Sequence, residues 1–204
     1  STVSTDEAAT GGALVSAPVD ATPGSPGAAR VLGVLGHVRE TLRSSSYQHD
    51  LRVDERAGVY RWDCSLMASW VLARAAPRAR AGVRTGGARP LAVDYYRTIR
   101  AATPLRSSGA SPRALRGASW GHVTRVSDAR PGDVLAWQRP RWFRSHNTGH
   151  VAFVLAPPEP YTDNTVLVRI ADASSYNHEN DSRAGGTGYG EGTLLVAVDP
   201  VTGA

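Results

Sequence analysis

The 204-residue chain is 41% hydrophobic and 20% charged, with a formal net charge of +5, a balance that fits one soluble domain with a real core. No stretch reaches the roughly 18 consecutive apolar residues of a membrane helix, and the single cysteine, Cys64, excludes an internal disulfide. All 23 basic side chains are arginines, scattered from Arg30 to Arg183; the charge favours anionic partners such as wall polymers, but a nucleic-acid footprint would gather on one element.

Residues 1–29 are Ser, Thr, Ala, Gly and Pro with few large apolar groups. They cannot bury enough surface to offset the entropy of ordering, so the expected organisation is a flexible tail over 1–29 and a single domain over 30–204. From Arg30, the spacing of Val31, Leu32, Val34, Leu35, Val38 and Leu42 predicts an amphipathic helix ending in "SSS". "DCSLMASWVLARAAP" (63–77) reads as a second helix, with Asp63 as its N-cap, Met67, Trp70 and Val71 on one face, and Pro77 as its stop. A third helix is expected to begin at Pro90 and to carry Leu91, Tyr95 and Ile99 inward. Beyond residue 118 the period falls to two. Strands are predicted at 122–126, 133–138, 150–155, 165–173 and 193–199, with turns at 128–133 and 156–164. Helices first and an antiparallel sheet of about five strands afterwards make an α+β fold.

If Asp63 caps, Cys64 occupies the first helical position, where unpaired N–H groups and the helix dipole favour negative charge. Such a thiol beside an imidazole is a nucleophile; one buried by its helix is packing. Six histidines could supply the imidazole. His37 lies on a polar helix face, His49 in a loop, His122 in the first strand and His146 in the arginine-rich loop. His150 opens the third strand beside the small Gly149, and His178 lies in the polar run "SSYNHENDSR". The segment 172–192 is too polar and glycine-rich for core; it forms either a rim over a site, with His178, Asp181 and Arg183 on substrate, or an ordinary loop. His146, His150, Asp172 and His178 are of types that bind zinc, but no pair stands at helical ligand spacing, so no metal or other cofactor is expected. Tyr60, Trp62, Trp137 and Trp142 could wall a groove, although Trp137 within a strand reads as core.

"DCS" at a helix start, "GDVLAW" (132–137) on one strand and "GHVAFVL" (149–155) on the next resemble the NlpC-like cell-wall cysteine peptidases and the related CHAP amidases. Over roughly residues 55–175, the resemblance implies a papain-like fold with Cys64 as nucleophile, His150 as base and Asp172, on the following strand, as the group that orients the base. It departs from the family pattern at Leu66, where glycine is usual, and in a longer stretch between Cys64 and His150. Asp172 stands where His, Asn or Gln is usual, which brings the triad closer to that of a transglutaminase. The implied activity is hydrolysis of an amide in peptidoglycan stem peptides by a secreted or periplasmic monomer. Substrate contacts are expected from Tyr60, Trp62, Asp63, His146, His178 and Arg183, with Arg139, Arg141 and Arg144 suited to peptide carboxylates. The competing readings are an acyltransferase using the same triad and a wall-binding module that has lost its chemistry.

Overall fold

The computed structural model describes residues 21–105, 119–139, 142 and 148–204. Most of the expected tail (1–20), Arg141, Arg144 and His146 lie outside them. Helix α1 (Pro26–Thr41) begins four residues before the expected onset, because Ser25 caps it: its hydroxyl accepts the Ala28 N–H at 3.0 Å, and Pro26 supplies a pre-set first position. Its buried stripe is Ala28, Val31, Leu35 and Val38.

The serines expected to end that helix instead form strand β1 (Ser44–Tyr47). It runs parallel to β3 (Val59–Trp62), which also pairs antiparallel with β2 (Arg52–Asp54). Nothing in "SSSY" favours a strand; tertiary bonds hold it. Ser45 donates its hydroxyl proton to the Tyr60 carbonyl at 2.9 Å and accepts the Tyr189 N–H at 2.8 Å.

Helix α2 (Cys64–Ala75) starts where its cap predicts, with the Asp63 carboxylate accepting the Leu66 N–H at 2.8 Å. Pro77 stops α2 and opens a short helix, α3 (Pro77–Gly82). Helix α4 (Ala92–Ala101) begins two residues after Pro90, where Asp94 accepts the Leu91 N–H at 2.9 Å. Tyr95 turns inward as expected, whereas Leu91, standing before the first turn, stays exposed.

Strands β4 (Thr103–Leu105) and β5 (Gly121–Val123) form a separate parallel pair, so the first predicted strand does not join the main sheet. That sheet comprises β6 (Val134–Gln138), β7 (Gly149–Val154), β8 (Glu159–Thr162), β9 (Thr165–Ser174) and β10 (Gly188–Ala197). It is antiparallel in the order β10-β9-β7-β6, with β8 on the early half of β9 and β7 on its later half. The stretch predicted as a plain turn at 156–164 thus contributes β8. The fold is α+β, built of helices and mainly antiparallel sheet.

Alternation along the strands feeds two cores. Val151, Phe153, Ala171 and Ala173 join Cys64, Met67 and Val71 of α2 and the stripe of α1, while Ala152, Val154, Val166, Val168 and Ile170 form the second cluster. Tyr60 and Trp62 are 0% exposed, packed tilted against each other at 5.1 Å between ring centroids and against Trp70 at 6.1 Å (edge-on) and 5.5 Å (tilted). They belong to the core rather than to a substrate groove, because β3 is the central strand of its small sheet and α2 packs against it. No described helix is long and apolar enough to cross a membrane.

Candidate active site

Three chain segments bring Cys64, His150 and Asp172 together. Cys64 is buried at the first position of α2. His150 is the second residue of β7, and Asp172 lies near the end of the neighbouring β9. His150 Nε2 meets Asp172 Oδ2 at 2.6 Å, which leaves Nδ1 as the ring nitrogen free to face a thiol. Burial pulls the His150 pKa down, but the bond to Asp172 and then the hydrogen bond and charge of Cys64 outweigh it and raise it to about 10. That direction favours the protonated ring, an imidazolium bonded to the Asp172 carboxylate.

Asp172 is 1% exposed and completely committed. Its Oδ2 also receives His178 Nε2 at 2.8 Å, and its Oδ1 is paired with the Arg183 guanidinium. Arg183 donates further to the carbonyls of Asp172 (3.2 Å) and Gly188 (2.9 Å) and is paired with Asp181. Burial alone would push the Asp172 carboxyl up; hydrogen bonds from His150 and His178, with the positive charges of His150 and Arg183, hold it well below the usual carboxylate range. Gly190 stands opposite Asp172 in register, and a Cβ there would come within 2.5 Å of the Arg183 side chain. The glycine-rich run that sequence patterning excludes from the core is thus the seat of a buried arginine.

A second carboxylate fixes the start of α2. Asp63 caps Leu66 and accepts the Ser65 hydroxyl at 2.8 Å, Arg89 Nη2 at 2.8 Å and His49 Nδ1 at 3.1 Å. Arg89 Nη1 also donates to Ser65 Oγ at 2.9 Å. Burial would raise the Asp63 pKa, but the Leu66 N–H followed by His49, Ser65 and Arg89 together lower it. Tyr47 closes this side: burial first, then the charges of Cys64 and Asp63, push its hydroxyl pKa up, so the phenol stays protonated.

On the other flank, Trp137 lies directly opposite His150 in the β6–β7 ladder, with ring centroids 5.0 Å apart and planes at 42°. The indole is 38% exposed, not core as its strand position predicts. Gly149 makes this crossing possible: at φ +143° its missing Cβ would stand 2.0 Å from the Trp137 carbonyl oxygen. Gly149→Ala is expected to destabilise the protein by about 1–3 kcal/mol through the backbone alone, and to displace His150 with its strand. The urea midpoint and the His150 NMR shift would register the two effects separately.

No protein-family model, curated protein or solved structure matches the chain.

The structure places several expected substrate contacts elsewhere. Asp63 is a buried cap with all its bonding capacity spent on Leu66, Ser65, Arg89 and His49. Arg183, with a side chain 1% exposed, grips Asp172 and Asp181 instead of reaching outward. His178 is turned onto Asp172, and Tyr60 and Trp62 are core. His37 pairs with Glu55 at 3.4 Å, away from the His150–Asp172 pair, and His122 sits in β5. Trp142 is open to solvent.

Arg89, Ser65, Tyr47 and Trp137 are the residues at the site that sequence reasoning passed over or assigned differently. Only Ser65, adjacent to Cys64, carried a local signal; Arg89 is 26 positions from Asp63, and its role depends on the path of the intervening chain.

His150, Asp172 and His178 also offer three ligand atoms within 4.8 Å of one another, a donor set that zinc accepts. The Arg183 guanidinium on the same carboxylate places a positive charge beside any such ion.

Proposed function

We propose that the chain is a thiol hydrolase of papain-like architecture that cuts an amide bond, with Cys64 as nucleophile, His150 as acid and base, and Asp172 as the group orienting the imidazole. The observation that carries this reading is the His150 ring, bonded at Nε2 to a buried carboxylate 2.6 Å away and raised in pKa first by that bond and then by Cys64. The order of elements supports it as well: a nucleophile at a helix N-terminus, followed by an antiparallel sheet with base and orienting group on adjacent strands.

The Cys64 thiolate attacks the carbonyl carbon, forming a C–S bond, and the oxyanion is met by N–H groups at the start of α2. Imidazolium His150 passes its proton to the nitrogen as the C–N bond breaks and the amine leaves. Neutral His150 then takes a proton from water, whose oxygen attacks the thioester; the C–S bond breaks, releasing the acid and the thiolate. Asp172 holds the tautomer and stabilises the cation throughout.

The substrate class, a peptidoglycan stem peptide met outside the cell, follows from the resemblance of "DCS", "GDVLAW" and "GHVAFVL" to the NlpC-like and CHAP enzymes. Cys64→Ala is expected to abolish release of new amine ends from purified stem peptides while leaving peptide binding within about twofold, as followed by amine labelling and calorimetry. Turnover surviving in Cys64→Ala would overturn the assignment. Acyl transfer to an added amine in preference to water would reassign the same triad to an acyltransferase.

A further inference from the structure

Trp137 is not used by the network described above, yet it lies against the ring that network exists to control. Among the described residues, two rings contact His150: His178, whose Nε2 is committed to Asp172, and Trp137. Directly opposed residues of an antiparallel pair project from the same face, so the indole and the imidazole line the same wall. The next residues inward on that face, Leu135 and Ala152, pack into the second core; at Trp137 the face opens to solvent.

The contact of Trp137 with His150 defines a side of the substrate. His150 must reach the departing nitrogen, so whatever that nitrogen carries passes beside the His150 ring and the indole packed on it. We infer that Trp137 is the wall of the leaving-group subsite and selects amides whose nitrogen carries an extended apolar substituent. The inference rests on the proposed Cys64–His150 chemistry and specifies the side of the substrate on which it discriminates. An aliphatic stem or a ring would suit the indole face equally, since both bury apolar area against it.

The test uses the full chain and two amides that share one stem-peptide acyl group, an N-methylamide and the corresponding N-benzylamide, with release of the amine as the readout. Wild type is expected to prefer the benzylamide by about tenfold, equivalent to roughly 1.4 kcal/mol. Trp137→Phe should keep most of that preference, and Trp137→Ala should bring the ratio to within about twofold of unity. If Trp137→Ala does not fold by circular dichroism, Trp137→Gln carries the same expectation. No benzylamide preference in wild type, or a preference that survives loss of the indole, overturns the inference. Should iodoacetamide alkylate His150→Ala as fast as wild type, the thiol–imidazole chemistry itself fails and the subsite falls with it; the first pattern leaves that chemistry standing.

Discussion

Iodoacetamide is expected to alkylate Cys64 at pH 6.5 at least about tenfold faster in the wild-type protein than in His150→Ala. The thiolate is the reactive species, and in the proposed chemistry the His150 imidazolium stabilises it. In the folded protein that imidazolium persists because Asp172 and Cys64 raise His150, against the effect of its own burial, to about 10. The ring's protonation is thus worth more in the folded state than in the unfolded chain, where histidine titrates near 6.5. Its stabilising contribution is complete below about pH 6.5 and is lost as pH rises through about 10. His150→Ala removes both the cation and the proton carrier, so amide turnover should fall by about 10²–10⁴-fold. Asp172→Asn keeps the ring but exchanges its charged partner for a neutral one, and the His150 titration followed by NMR should move down toward 6.5. Equal alkylation rates with and without His150 would show that the imidazole does not act on this thiol.

Replacing Asp172 with alanine should destabilise the fold by about 3–5 kcal/mol, the usual cost of breaking a buried ion pair from one side. The carboxylate is enclosed and is shared by His150, His178 and Arg183, while the Arg183 side chain is itself buried. After truncation Arg183 retains Asp181, but two imidazoles lose their common acceptor. Urea unfolding at pH 7 measures the loss as a shift in midpoint at constant slope. The same arrangement sets an acid limit. The folded Asp172 pKa lies below the unfolded value of about 3.9, so its contribution is present above that value and drains away as pH falls toward the folded pKa. Asp172→Ala should accordingly lose less stability between pH 5 and pH 3 than wild type does. A midpoint shift equivalent to less than about 1 kcal/mol at pH 7 would mean that Arg183 and the histidines find other partners, and that Asp172 serves orientation alone.

Both effects trace to features that differ in how far they could be read from the chain. Helix α2 was legible because its signals are local: Asp63 caps three residues on, apolar residues recur at helical spacing, and Pro77 cannot continue the helix. The strands carrying His150 and Asp172 were legible to within a residue or two at each end, since alternation over "HVAFVL" and "TVLVRIADA" needs no knowledge of partners. The capped start of α1 was also written locally, in Ser25 and Pro26, although composition assigned those residues to the tail. Strand β1 was not, because its serines are held by bonds to Tyr60 and Tyr189, the latter 144 positions away.

By itself the sequence determined the α+β order, the place of Cys64 at a helix N-terminus, and the candidate residues His150 and Asp172, all through interactions spanning a few residues. Tertiary structure alone decided what each polar or aromatic group faces. It turned Arg183 and His178 inward onto Asp172, spent Asp63 on Arg89 and Ser65, sank Tyr60 and Trp62 into the core, and left Trp137 open beside His150. The reason is that a buried charge or an exposed indole is settled by strand register and by the return of distant loops, not by the residues on either side of it.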